Sequence, residues 1–250
     1  MDLHYETRGK GPVIVLLHSG GVDMREWSYL VPLLVKHFKV ITFDARGVGN
    51  SPSPTTSQVD YVDDLLKLLD YLEEPQVSLV GHSIGGQIAT EFALMYPERV
   101  ENLILIAPSL SGFEYSHEFK KYLDNINQAA PDINKMVDLS LKGSLYKVVM
   151  AGEHRDFMVE MHRKYFERVL QWPAFEMIWP APPANKRLTN LTVKTLLLIG
   201  GVDFKDNHRV LNCFDVASDV CNYEIINADH MVTLTHPSEL YEQITNFIKE

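Results

Sequence analysis

Six short apolar runs limit how this chain can fold. "PVIVLLH" (12–18), "FKVITFD" (38–44), "QVSLVGH" (76–82) and "VENLILIAP" (100–108) are rich in β-formers and apolar on both faces. "VKTLLLIGG" (193–201) and "CNYEIINA" (221–228) continue the series. A strand that is apolar on both faces needs cover on both, and a parallel sheet between two helix layers provides it. The intervening stretches supply the helices. "YVDDLLKLLDYLE" places Val62, Leu65, Leu66, Leu69 and Leu72 at helical spacing, and "QIATEFALMYP" places Ile88, Phe92 and Met95 on one face before Pro97 ends it. Strand–helix alternation of this kind predicts an α/β fold with a doubly wound, mostly parallel sheet.

The alternation stops between about 111 and 190, where no convincing strand pattern occurs. "HEFKKYLDNINQA", "DINKMVDLSLKG" and "DFMVEMHRKYFERVL" carry helix-period apolar faces. The proline- and aromatic-rich "QWPAFEMIWPAPPANK" that follows cannot be one regular element. A length of 250 residues is at the upper end for a single core. The expected organisation is a core of residues 1–110 and 191–250 carrying a helical cap over 111–190.

At the end of the third run, "GHSIGG" wedges Ser83 between glycines where a buried strand gives way to a helix. A strand-to-helix turn that sharp strains the serine backbone and leaves no room for side chains two positions either way; Gly81 and Gly85 meet that demand. Serine is a poor nucleophile at neutral pH, so it needs a base, and the base needs an orienting acid. In elbows of this type the partners follow in the order acid, then histidine. Asp203 ends the strand "TLLLIGG" at the expected sheet edge; Asp206, the rival, suits the cap of a helix starting at Asn207. His230 follows the last strand on the same edge, whereas His208 falls in a helix and His236 precedes Pro237 at the start of the final helix. The oxyanion needs two preorganised N–H donors. Ile84, directly after the nucleophile, and Gly20 in "HSGG" are the candidates.

With these residues in place the chain resembles the α/β-hydrolase superfamily, and the likeness covers nearly its whole length. "LLHSGG", "DARGVGNS", "GHSIGG", "GGVD" and "DHM" stand in the family's order and spacing. "DARGVGNS" matches its D-x-R-G-x-G-x-S loop, in which Asp44, Arg46 and Ser51 read as structural. The esterase-like and lactonase-like members with a cap are most similar, because "LLHSGGVDMREW" resembles the loop of enol-lactonase-type enzymes. Three departures matter. "HSGG" replaces the more frequent H-G-x-P, and serine replaces aspartate at the elbow, which together count against epoxide hydrolases and haloalkane dehalogenases. Asp229 stands where the family usually has glycine, which places an extra charge near the base. The chain starts at "LHYETRGKG", so the family's usual first strand is expected to be missing.

The resemblance implies a cofactor-free serine hydrolase acting on a small, largely apolar carboxylic ester or lactone. A carbon–carbon bond hydrolase or hydroxynitrile lyase on the same triad stays open, as does a non-enzymatic ligand receptor of the same fold. Trp172, Phe175 and Trp179 (with Met177) either line the substrate pocket or glue the cap to the core. His18 and His82 read as packing or loop hydrogen-bonding residues, and no histidine shows metal-ligand spacing. A net charge of −10 argues against nucleic acid or anionic membrane as partner. Cys213 and Cys221 have neither CxxC nor zinc-ligand spacing, there is no apolar signal region, and no run approaches a membrane span. A cytoplasmic monomer or homodimer without metal or cofactor is the expectation.

Overall fold

The computed structural model describes residues 1–55, 58–172 and 176–249. Its centre is a seven-stranded sheet: β1 (Tyr5–Gly9), β2 (Val13–Leu17), β3 (Lys39–Phe43), β4 (Val77–His82), β5 (Val100–Ile106), β6 (Thr195–Gly200) and β7 (Val220–Ile225). The spatial order is β1-β3-β2-β4-β5-β6-β7, parallel throughout except for β1 against β3. All six runs form strands. The additional strand, β1, escapes the pattern because "YETRG" is mostly polar and half exposed: it pairs on one side only, at the edge. β7 is the opposite edge, and four of its six residues are exposed, unlike the fully buried β4 and β6.

Alternating side chains build two apolar layers, as a doubly wound sheet requires. Val15, Leu17, Leu79, Leu103, Leu105 and Leu197 face helices α1 (Tyr61–Tyr71) and α2 (Ile84–Met95). Ile14, Leu16, Val80, Ile104, Ile106 and Leu198 face Trp27, Leu34 and the final helix. α1 begins where the Asp60 carboxylate accepts the amides of Val62 and Asp63, satisfying two donors that the helix cannot.

Between β5 and β6 the chain leaves the sheet. It forms α3 (His117–Gln128), α4 (Ile133–Leu141) and α5 (Arg155–Val169), plus a short helical turn at Lys147–Ala151. Ser116 and Asp132 cap α3 and α4 through their side chains. One brief strand, Glu176–Met177, occurs here and pairs with Gln58–Val59 outside the main sheet. The three helices and the short turn share a core of their own, including Ile126, Met136, Val149, Met161 and Phe166. Val22 and Met231, from loops at the sheet's carboxyl edge, and Leu234, from the helical turn Val232–Thr235, join that core. Then follow α6 (Lys205–Cys213) and α7 (Pro237–Lys249).

The topology fixes where a ligand can sit. From β2 the chain crosses to β3 on one side and later returns to β4 on the other. The loops after β2 and β4 therefore part at the sheet's carboxyl edge and leave a crevice, the usual ligand position in open α/β sheets.

Candidate active site

Ser83 stands in that crevice, between β4 and α2, with φ 52° and ψ −116°. A non-glycine residue held there stores strain, tolerated only because its surroundings over-determine it. Its amide donates to the Ile106 carbonyl at 3.0 Å, and its own carbonyl accepts from Gln87 and Ser109. The glycines make the turn possible. A Cβ on Gly81 would stand 2.5 Å from the Gly85 carbonyl oxygen, and one on Gly85 would overlap the backbone at Leu17 and His18.

His230 and Asp203 meet from two separate loops. His230 Nδ1 lies 2.9 Å from Asp203 Oδ2, and Asp203 is buried. Asp203 Oδ1 accepts from the Phe204 amide at 2.6 Å and from Asn207 Nδ2 at 2.8 Å, so both carboxylate oxygens are engaged. Burial pushes the Asp203 pKa up, but the charge and hydrogen bond of His230, with the Phe204 and Asn207 donors, bring it below the ordinary value. Burial pulls His230 down, while Asp203, then Glu26 and Asp229, favour the imidazolium and leave its pKa raised. Asp206 takes a different place from the expected cap. The helix begins at Lys205, so Asp206 sits in its first turn, and its carboxylate accepts from the Ser116 amide at 2.8 Å and pairs with Arg209 at 2.5 Å.

Gly20 and Ile84 border one cavity with Ser83 and His230, of about 250 Å³. As the first residue of α2, Ile84 has an N–H without an intrahelical acceptor. The rest of the lining includes Phe119, Tyr122, Leu145, Tyr146, His162 and Phe166, with a few small polar groups and, among the described residues, no Lys, Arg, Asp or Glu. A larger cavity, about 380 Å³, lies beyond Tyr165, which borders both, but it holds none of Ser83, Asp203 and His230.

Trp172 and Trp179 are not part of the lining among the described residues. The Trp172 ring lies against Gly47 of the "DARGVGNS" loop, and Trp179 packs on the main core. Phe175 lies outside the described residues. The aromatic wall comes instead from α3, α5 and the turn before Lys147, which are amphipathic segments whose sequence reads as ordinary helix packing. In the "DARGVGNS" loop, Asp44 accepts from the Met24 and Asn50 amides, Ser51 donates to the Asp44 carbonyl, and Arg46 bridges Asp2 and Asp64.

Two acids link the site to its frame. Glu26, fully buried, accepts from the Ser19 amide at 2.8 Å, from Thr233 Oγ1 at 3.1 Å and bonds His82 Nδ1. One side chain thus joins the "HSGG" loop, the residue before Ser83 and the helical turn after His230. Burial raises the Glu26 pKa, and His82 and the Ser19 amide bring it below the ordinary value. The His82 ring lies 4.6 Å from that of His230. Glu26 has no clear sequence signal, because two of its three partners are 56 and 207 residues away. Asp229, also buried, accepts from the amides of Val148 (2.6 Å), Val149 (3.0 Å) and Met231 (3.0 Å). With the His230 amide donating to the Leu145 carbonyl at 3.1 Å, it ties the histidine loop to the helical segment.

Comparison with known proteins identifies the fold family. The family model described as alpha/beta hydrolase fold matches residues 12–141. Among curated proteins, a pimeloyl-[acyl-carrier protein] methyl ester esterase from Aeromonas hydrophila is 28% identical, over 99% of this chain and 100% of its own. Among solved structures, MenH from S. aureus superposes with a TM-score of 0.82 at 21% identity, covering 98% of each chain. The enol-lactonase from Burkholderia xenovorans LB400 gives 0.77 at 22% identity, over 99% of this chain and 96% of that one.

Proposed function

The chain belongs to the alpha/beta hydrolase fold family, and we propose that within it this protein is a serine hydrolase of small, uncharged carboxylic esters or lactones. The observation that carries the reading is one cavity holding a strained serine and a histidine already bonded to a buried aspartate. Ser83 Oγ attacks the carbonyl carbon while His230 Nε2 takes its proton, and Asp203 holds the tautomer and balances the imidazolium. The amides of Gly20 and Ile84 receive the oxyanion. The C–O bond to the alcohol then breaks as His230 returns the proton to the leaving oxygen. Water, activated by the same histidine, releases the acid from the acyl-serine.

The uncharged lining supports a neutral acyl group, because a buried carboxylate there would lack a cation to offset its desolvation. The esterase and lactonase named among the relatives support the ester bond as target. In this reading residues 111–190 act as a helical cap on a core of 1–110 and 191–250, and their aromatic side chains supply the apolar wall.

The test is labelling with a fluorophosphonate together with burst kinetics on p-nitrophenyl butyrate. The peptide carrying Ser83 should be labelled, and Ser83→Ala should lose at least about 10³-fold in kcat. Labelling elsewhere, or an active Ser83→Ala, refutes the assignment.

A further inference from the structure

The active-site cavity contains a second imidazole that the proposed reaction does not use. His162, on α5, is 1% exposed, borders the same cavity as Ser83 and His230, and its Nδ1 is buried without a hydrogen-bond partner. Its ring is held edge-to-face by Tyr146 (5.3 Å between centroids) and Phe166 (6.3 Å). The edge carrying Nε2 lies over the oxyanion loop. A Cβ on Gly21 would stand 2.9 Å from Nε2, so a side chain at position 21 would cover that nitrogen; Gly21 also has φ +81°.

We propose that His162 forms a polar subsite for the acyl half of the substrate and recognises a hydroxyl group close to the scissile carbonyl. This rests on the serine-hydrolase reading above. Three observations favour it over simple packing. Burying an unpaired imidazole nitrogen costs free energy that a Phe or Leu in the same aromatic slot would not. The Nε2 edge lies over Gly21, next in the chain to Gly20, which the proposed reaction uses for the oxyanion, so the nitrogen faces the part of the cavity near the reacting carbonyl. The ring is also neutral: burial lowers its pKa to about 4, and the Met158 carbonyl one turn earlier pulls only weakly the other way. A neutral ring in a lining without Lys or Arg does not select an anion. A nitrogen of a neutral imidazole donates in one tautomer and accepts in the other, so Nε2 can enter a hydrogen bond in either role. A hydroxyl suits both states.

The experiment compares p-nitrophenyl 3-hydroxybutyrate with p-nitrophenyl butyrate on the intact protein. The kcat/KM ratio of hydroxy to plain ester should exceed one by at least about tenfold in the parent protein and fall towards unity in His162→Phe. His162→Gln, which keeps a hydrogen-bonding group, should restore part of the ratio, and Gly21→Ala, which crowds Nε2, should lower it. Melting temperatures of all variants separate loss of fold from loss of selectivity. A parent protein without preference, or an equal loss on both esters in His162→Phe and Gly21→Ala, overturns the subsite and leaves His162 a packing residue. If the parent turns over neither ester and Ser83 takes no label, the hydrolase reading fails and the subsite falls with it.

Discussion

Replacing Asp203 by Asn removes one charge while leaving the shape of the site nearly unchanged. The charge faces His230 across a 2.9 Å hydrogen bond, and both are buried. At an effective dielectric near 20, unit charges about 4 Å apart interact by about 4 kcal/mol. If that support for the imidazolium is lost in the transition state, kcat falls by roughly three decades at about 1.4 kcal/mol each. The structure adds a second cause. Asn207 Nδ2 already stands 3.1 Å from His230 Nδ1. Once Asp203 no longer accepts, amide donors from residues 203 and 207 can hold Nδ1 as the acceptor. The proton then resides on Nε2, which can no longer take one from Ser83. The expected loss in Asp203→Asn is therefore about 10²–10⁴ in kcat, with a melting curve close to the parent's. Asp206→Asn, whose carboxylate is spent on Ser116 and Arg209, should cost at most a few fold. Steady-state kinetics on p-nitrophenyl butyrate with parallel thermal melts decide the matter. An Asp203→Asn variant within about tenfold of the parent, or a larger loss in Asp206→Asn, refutes the reasoning.

The raised pKa of His230 sets the pH dependence: the base is protonated and inactive below it, so kcat/KM should rise with pH through a midpoint above the ordinary histidine value of 6.5, measurable in a pH–rate profile. Glu26→Gln removes one of the charges that raise it and should move that midpoint to lower pH; an unmoved midpoint would remove Glu26 from the electrostatics of the base. Asp229→Leu leaves three buried amides without their acceptor and should cost about 3–5 kcal/mol, or roughly 10 °C in Tm, by calorimetry. Trp172→Ala and Trp179→Ala should lower Tm without changing acyl-chain preference, since neither ring lines the cavity; a shifted preference would contradict their placement.

What the sequence revealed follows from how local each signal is. The five inner strands and the helices between them announce themselves through apolar period, because each must bury a face; β7, largely exposed at the edge, is marked by its β-formers rather than by burial. β1 does not, since its backbone pairing at the edge imposes no apolar requirement on "YETRG". Ser83 is legible because strain and crowding force Gly81 and Gly85 into its immediate neighbourhood. Asp203 and His230 are legible because both follow strands that end at the same sheet edge as Ser83. The cavity wall is not, because the same apolar side chains that pack a helix also line a pocket; Phe119, Tyr122 and Phe166 carry no mark that separates them from Met136 or Met161. Size and clustering make Trp172 and Trp179 resemble pocket residues, yet their contacts are with Gly47 and the main core. Glu26 depends on His82 and Thr233, far away in the chain, as well as on nearby Ser19, and only the fold brings the three together.

The joint at Asp229 constrains any attempt to transplant the helical segment between relatives. A graft cut at residues 111 and 190 would carry Leu145, Val148 and Val149 but leave behind the carboxylate and the amide that meet them. The donor segment would then arrive without its anchor, and the recipient's histidine loop would lose the carbonyl that holds it. Exchange of substrate preference by swapping this segment therefore has to move residues 229–231 as well, as one unit with the helices they fasten. Residues 229–231, Asp229 among them, all lie outside a sequence alignment limited to the segment.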